Sequence, residues 1–213
     1  PPTPEPVTPD MPLDRLPAVV IDTETTGLDV DTDRIVSVAA IRLHGSHIFR
    51  HVTLDRLVNP GQPIPARATA VHGISTAMVA GAPGFAEILP DLSRFLAAGV
   101  VVGHCIGFDL RMIEREAARA GLDWRMPPSL CTMRLAAALF GSADELSLDA
   151  VAERLGVSVE GRHTAFGDAL VTAEIYVRLL PLLADAGVHS QETALAFAER
   201  PRKIIARQRA AGW

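Results

Sequence analysis

This chain is poor in cysteine, has no long apolar run and carries no surplus of basic residues. Each shortage excludes something. Two cysteines, Cys105 and Cys131, in 213 residues are too few for a disulfide framework or a structural zinc site, and they read as ordinary reduced thiols. No apolar stretch approaches the roughly 18 residues of a bilayer-crossing helix, so no membrane contact is expected. The opening PPTPEPVTPDMPLDRLP lacks the charged and apolar regions of a secretory leader. A soluble, cytoplasmic protein is the expectation. A net charge of −5 argues against a broad basic face that grips long duplex DNA non-specifically. An acidic protein can still hold a nucleic-acid end, because each bound divalent cation offsets two negative charges locally. There is no internal repeat, and a hydrophobic fraction of 48% supplies the core of one domain.

What is present falls into three parts. Seven of the first seventeen residues are proline, which rules out a continuous helix or central strand there. Residues 1–17 read as an extended linker or a disordered tail. The chain begins with Pro rather than Met, and an upstream domain is one of the partners the reading allows. From residue 18 the pattern is rich in strands. Ala18–Asp22, Ile35–Leu43 and Ile48–Leu57 are apolar or alternating, and turn-like breaks separate them, which suits an antiparallel meander. Helical spacing follows over Pro83–Ala98, then a short strand over Val100–His104. Further helices are expected over Gly107–Ala120, Thr132–Phe140, Ser147–Leu155 and Ala165–Ala186. The expectation is an α/β domain over 18–186, with a mixed central sheet flanked by helices. Residues 187–213 read as a helical, partly basic extension, with a helix from Gln191 towards Arg209 disturbed at Pro201. Its end, ERPRKIIARQRAAGW, suits nucleic acid, a docking partner or a solvated helix end.

The chemistry is concentrated at element ends. VVIDTETTGL closes an apolar strand on Asp22 and Glu24, two positions apart and so on one face. Like charges placed together cost stability unless something neutralises them, and a divalent metal ion is the cheapest neutraliser. GHCIGFD puts Asp109 where a strand hands over to a helix, and HTAFGDA puts Asp168 at the start of a long helix. Taken singly, these acids also suit solvated turns or helix starts, and His104 and His163 suit ordinary core or surface histidines. Four acids at three element ends, with a histidine five residues before the last, shift the balance towards a metal site.

This combination resembles the DEDD family of 3′–5′ exonucleases in its histidine-containing branch, which includes the proofreading exonuclease subunit of bacterial replicative DNA polymerase. DTETTG, HCIGFD and HTAFGDA match its three motifs in order, and VHGI at Val71–Ile74 matches a fourth between the first two. The resemblance implies a ribonuclease-H-like fold over an exonuclease domain at 18–186. It also implies two ions, Mg²⁺ or Mn²⁺, about 3.5–4 Å apart and held by Asp22, Glu24, Asp109 and Asp168. His163 would be the general base, since an unperturbed histidine titrates at about 6.5. Five helical residues turn through roughly 500°, which would aim His163 and Asp168 apart, so His163 is expected on the loop entering the helix. The backbone around Thr25, Thr26 and Gly27 would approach the terminal nucleotide, Gly27 leaving room for close contact, and Leu28 would wedge against its base. His72 and His104 match positions near the nucleic-acid end, with His104 orienting the site rather than ligating metal. Phe108 would stack on a base or pack at its helix start.

One departure stands out. The family carries Asn after the histidine of the second motif, and this chain has Cys105, so an amide that contacts substrate is replaced by a small, weakly polar group. The expected activity is release of nucleoside 5′-monophosphates from the 3′ end of single-stranded DNA in proofreading or repair, with a polymerase as the partner. The alternatives are an exoribonuclease of RNA processing and a non-catalytic nucleic-acid or polymerase-docking module.

Overall fold

The computed structural model describes residues 6–141 and 145–200. The three expected strands form the expected antiparallel meander: β1 (Pro17–Thr25), β2 (Ile35–His44) and β3 (His47–Leu57). β4 (Val100–Gly103) pairs parallel with β1, and β5 (Ser129–Cys131) pairs parallel with β4. The sheet order is therefore β3-β2-β1-β4-β5, with β1 at its centre. Its run Ala18–Ile21 is buried throughout because helices cover both faces. β3, on the edge, is exposed or half-buried along its length, with Leu54 its one buried residue.

Among the described residues, eight α-helices follow β3, with β4 between α3 and α4 and β5 between α4 and α5: α1 (Ala66–His72), α2 (Thr76–Val79), α3 (Phe85–Leu96), α4 (Gly107–Arg119), α5 (Thr132–Phe140), α6 (Leu148–Leu155), α7 (Ala165–Asp185) and α8 (Gln191–Glu199). Strand parity divides the core between two faces. Val19 and Ile21 pack with Leu92, Leu110 and Ile113 of α3 and α4, whereas Ala18 and Val20 pack with Val171, Ile175 and Leu179 of α7. Burying each Val or Ile is worth roughly 1.5–3 kcal/mol. A one-residue slip of β1 would turn these side chains to the wrong faces, so the core itself fixes which face Asp22 and Glu24 present.

The sequence pattern does not announce α1, α2 or β5. The two helices have seven and four residues, and the strand has three, too few for a period to show. Packing also continues past both ends of the 18–186 span. Leu13 and Leu16 are buried in the same cluster as Val20, and Ala194, Phe197 and Ala198 of α8 join them. The Leu13 N–H donates to the His189 carbonyl at 2.9 Å, which ties the proline-rich start to the turn before α8. The expected continuation of α8 towards Arg209, and the basic end, lie outside the described residues. Among the described residues, no helix is long and apolar enough to cross a membrane.

Candidate active site

Three of the four acids converge. Asp22 and Glu24 project from the end of β1 towards α7, and one carboxylate oxygen from each lies within 4.8 Å of one from Asp168. At about that separation two unit charges repel by roughly 3–4 kcal/mol at an effective dielectric of about 20. Three such pairs approach the whole stability of a domain, about 5–15 kcal/mol. The cluster therefore needs protons or a cation. Burial, reinforced by Asp109, Asp168 and Glu24, raises the Asp22 pKa well above the usual carboxylate range. Burial and then Asp168 push Glu24 up to about 7.

Asp109 arrives from the other layer. Thr23 points away from the Asp22 face, and its N–H and hydroxyl both donate to Asp109 Oδ1, at 3.1 and 2.7 Å. Burial lifts Asp109 to about 7 against the opposing pull of those bonds. Asp109 adjoins Asp22 closely enough to raise its pKa, yet it stands outside the tight trio. All four acids thus gather beyond the carboxyl ends of the parallel pair β1 and β4, where open α/β sheets hold ligands. A break in register between Glu24 and Thr25 helps re-aim the strand end there.

The third motif is shaped by a close backbone approach. The Thr164 hydroxyl accepts from the Gly167 N–H at 3.0 Å and donates to the Gly161 carbonyl at 2.7 Å, capping α7. A Cβ at Gly167 would overlap the Gly161 carbonyl, so only glycine fits. Asp168 then falls in the first turn, where the helix dipole favours an anion. His163 sits on the loop entering α7, exposed, with φ of +60°, and its N–H donates to Asp168 Oδ1 at 3.3 Å.

Sequence reasoning overlooked Arg162. Its Nη1 pairs with Asp168 Oδ2, while its Nε and Nη2 donate to the two Asp149 oxygens at 2.6 and 3.3 Å. Burial works against this guanidinium, but the two carboxylates outweigh it and raise its pKa. The available signal was its place directly before His163.

The expected nucleotide contacts are redistributed. Leu28 is 84% exposed, an apolar side chain with the freedom a wedge needs. Thr25 is buried and donates to the Gly27 carbonyl at 2.6 Å. Thr26 is fully buried, its hydroxyl donating to Asp33 Oδ1 at 2.7 Å and accepting from the Arg34 N–H at 3.0 Å, so its side chain shapes the loop instead of reaching a substrate. The space beside Gly27 is filled by the Asp33 carboxylate, which corrects the reason for that glycine. His104 also changes role as a substrate contact. Nε2 donates to the Leu146 carbonyl at 2.8 Å, and Nδ1 meets the Thr132 hydroxyl at 2.9 Å, so both ring nitrogens hold the protein together. Burial lowers its pKa and favours the neutral ring. His72 is buried, with Nδ1 accepting from the Ile74 N–H at 3.0 Å. Among the described residues its Nε2 has no hydrogen-bond partner. Phe108 is half-buried against the α3–α4 side of the core and borders a cavity of about 430 Å³ with Cys105, Arg111 and Met126.

A family model described as an exonuclease, of the RNase T type, matches residues 19–176. The chain belongs to that exonuclease family. A Rhodobacter capsulatus protein named DNA polymerase III subunit epsilon-like is 46% identical over 182 residues, 84% of this chain and 26% of that protein. The DNA polymerase III subunit epsilon of Aquifex aeolicus is 38% identical over 163 residues, 76% of this chain and 79% of that protein. This exonuclease-family chain therefore spans most of one relative and about a quarter of the other. Among solved structures, exonuclease X in complex with 5′ overhanging duplex DNA matches with a TM-score of 0.64 at 26% identity, covering 85% of this chain and 99% of that one. The expected kinship and the ribonuclease-H-like sheet are both borne out.

Proposed function

We propose that this chain is a metal-dependent 3′–5′ exonuclease that releases nucleoside 5′-monophosphates from the 3′ end of single-stranded DNA. The observation that carries the reading is the convergence of Asp22, Glu24 and Asp168 on one point, with Asp109 adjoining. An all-oxygen donor set of this kind suits hard cations, Mg²⁺ or Mn²⁺, and the raised pKa values of Asp22, Glu24 and Asp109 reflect a site that favours positive charge. Once bound, two such ions would activate a water and stabilise the leaving 3′-oxygen.

The chain's own residues supply the rest. Asp22, Glu24, Asp109 and Asp168 hold the cations. Thr23 fixes the Asp109 carboxylate through Oδ1, leaving Oδ2 for the site. His163, on an exposed loop at the lip of the cluster, takes the proton from the attacking water. Leu28 meets the terminal base, and His72, buried beside the Thr25 backbone, supports the strand end that approaches the nucleotide. We place the activity in the cytoplasm, serving a DNA polymerase in proofreading or repair, by analogy with the relatives named as polymerase subunits.

The test is release of labelled mononucleotides from matched DNA and RNA oligonucleotides in Mg²⁺ and in EDTA. Release that needs the metal and is faster from DNA is expected. Asp22→Ala or Asp168→Ala should lower turnover by at least about a thousandfold, the scale lost when electrostatic stabilisation of a transition state is removed. Tight DNA binding without metal-dependent release would instead mark a docking module.

A further inference from the structure

The Arg162 guanidinium stands between two carboxylates with different futures. The Asp149 side chain, in the first turn of α6, is 58% exposed, and the Asp168 side chain is 12% exposed within the acid cluster. We propose that Arg162 is the built-in counter-ion of this site. It competes with divalent cations for the Asp168 carboxylate and withdraws onto Asp149 when a cation binds. The inference rests on the metal-dependent reading above.

Three features of the loop support it. A guanidinium stays charged at every working pH, so deprotonation cannot clear it from Asp168 and displacement is the only route. Its lone contact to Asp168 is through Nη1, whereas Nε and Nη2 already hold both oxygens of Asp149, so withdrawal keeps two bonds and breaks one. Gly161 and His163 flank it with φ of +66° and +60°, and a non-glycine residue held in that region, here His163, is a strained position of the kind found at ligand clamps and switches. Because the His163 N–H donates to the other oxygen of Asp168, one carboxylate senses both the arginine and the histidine loop. A cation that takes Asp168 therefore releases Arg162 and resets His163 in the same event.

The test is calorimetric titration of Mn²⁺ into the full chain and its variants. Arg162→Gln removes the competitor, and Mn²⁺ should bind more tightly by roughly tenfold, which corresponds to about 1.4 kcal/mol. Asp149→Asn removes the withdrawal site, so Mn²⁺ should bind more weakly, and that effect should vanish when both substitutions are combined. Asp149 is on the surface, so its variant reports even where Arg162→Gln fails to fold. Unchanged or weaker binding in Arg162→Gln, or an Asp149→Asn effect that survives without the arginine, overturns the inference while wild-type binding stands. No Mn²⁺ binding by the wild-type chain would overturn the metal-dependent reading as well.

Discussion

The two loops that meet at the acid cluster are built on opposite principles. Residues 26–34, after β1, are held by a dense set of bonds to α4 centred on the buried Glu116. Glu116, 2% exposed, accepts from Arg34 Nε and Nη2 at 2.6 and 2.8 Å and from the Ile35 N–H at 3.2 Å. Arg119 adds bonds to the Asp33 and Asp31 carbonyls at 3.0 and 2.8 Å. Residues 156–164, before α7, include Gly161 and His163 in the left-handed region, and they meet the cluster through Arg162, Thr164 and the His163 N–H. One loop is a fixed platform beside the acid cluster. The other depends on charge, and so on what the carboxylates are carrying. Order sits where shape must be recognised, and conditional order sits where ions and protons come and go.

The largest expected effect comes from dissolving the platform. Glu116→Ala leaves Arg34 and the Ile35 N–H without their acceptor, at a cost of about 3 kcal/mol, to be read from chemical denaturation. KM for an oligonucleotide should rise while kcat at saturation is largely kept, because the platform binds and the charged loop reacts. Equal losses in both constants would erase the distinction between the loops.

A smaller effect should appear in the charged region on titration. Glu24 and Asp109 have pKa values of about 7 in the folded chain, above unfolded values of about 4. The folded state therefore binds more protons in that window, and stability is lost as pH rises from about 5 through 7. In EDTA the melting temperature should fall across that range, by about 2–4 °C for each kcal/mol lost in a chain of this size. Saturating Mn²⁺ should flatten or reverse the slope. A flat profile in EDTA would mean that the trio is already neutralised by Arg162 alone.

The smallest effect concerns Cys105, at the junction of β4 and α4, whose φ is +61°. Asparagine tolerates that conformation far better than cysteine does. The Asn usual at this position in the family thus has a backbone reason to be there, beside its contact with substrate. Cys105→Asn should stabilise the chain by about 1 kcal/mol in thermal melts, with no dependence on divalent metal.

Much of this was legible from residues alone, for definite reasons. Asp22 and Glu24 could be placed on one face because a strand has a strict period of two and the apolar run before them marks the strand. His163 could be placed on a loop because five helical steps would have turned it away from Asp168. Other parts had no local signature. The Thr26 hydroxyl gives no sign in sequence of its two partners, Asp33 and Arg34, seven and eight residues on. His104 reads as a site residue until Leu146 and Thr132 are seen to take its two nitrogens. Arg162 is ordinary in sequence and matters only because α6 returns Asp149 beside α7. Partners separated by tens of residues leave no periodicity, so only the folded chain reveals them.

The central place of β1 has a consequence for biosynthesis. Its two acids leave the ribosome well before Asp168, which is made about 145 residues later and reaches them only when α7 docks across the finished sheet. A chain stalled or clipped before that helix lacks the last of its clustered acids, so an unfinished copy carries only part of the cation-attracting cluster.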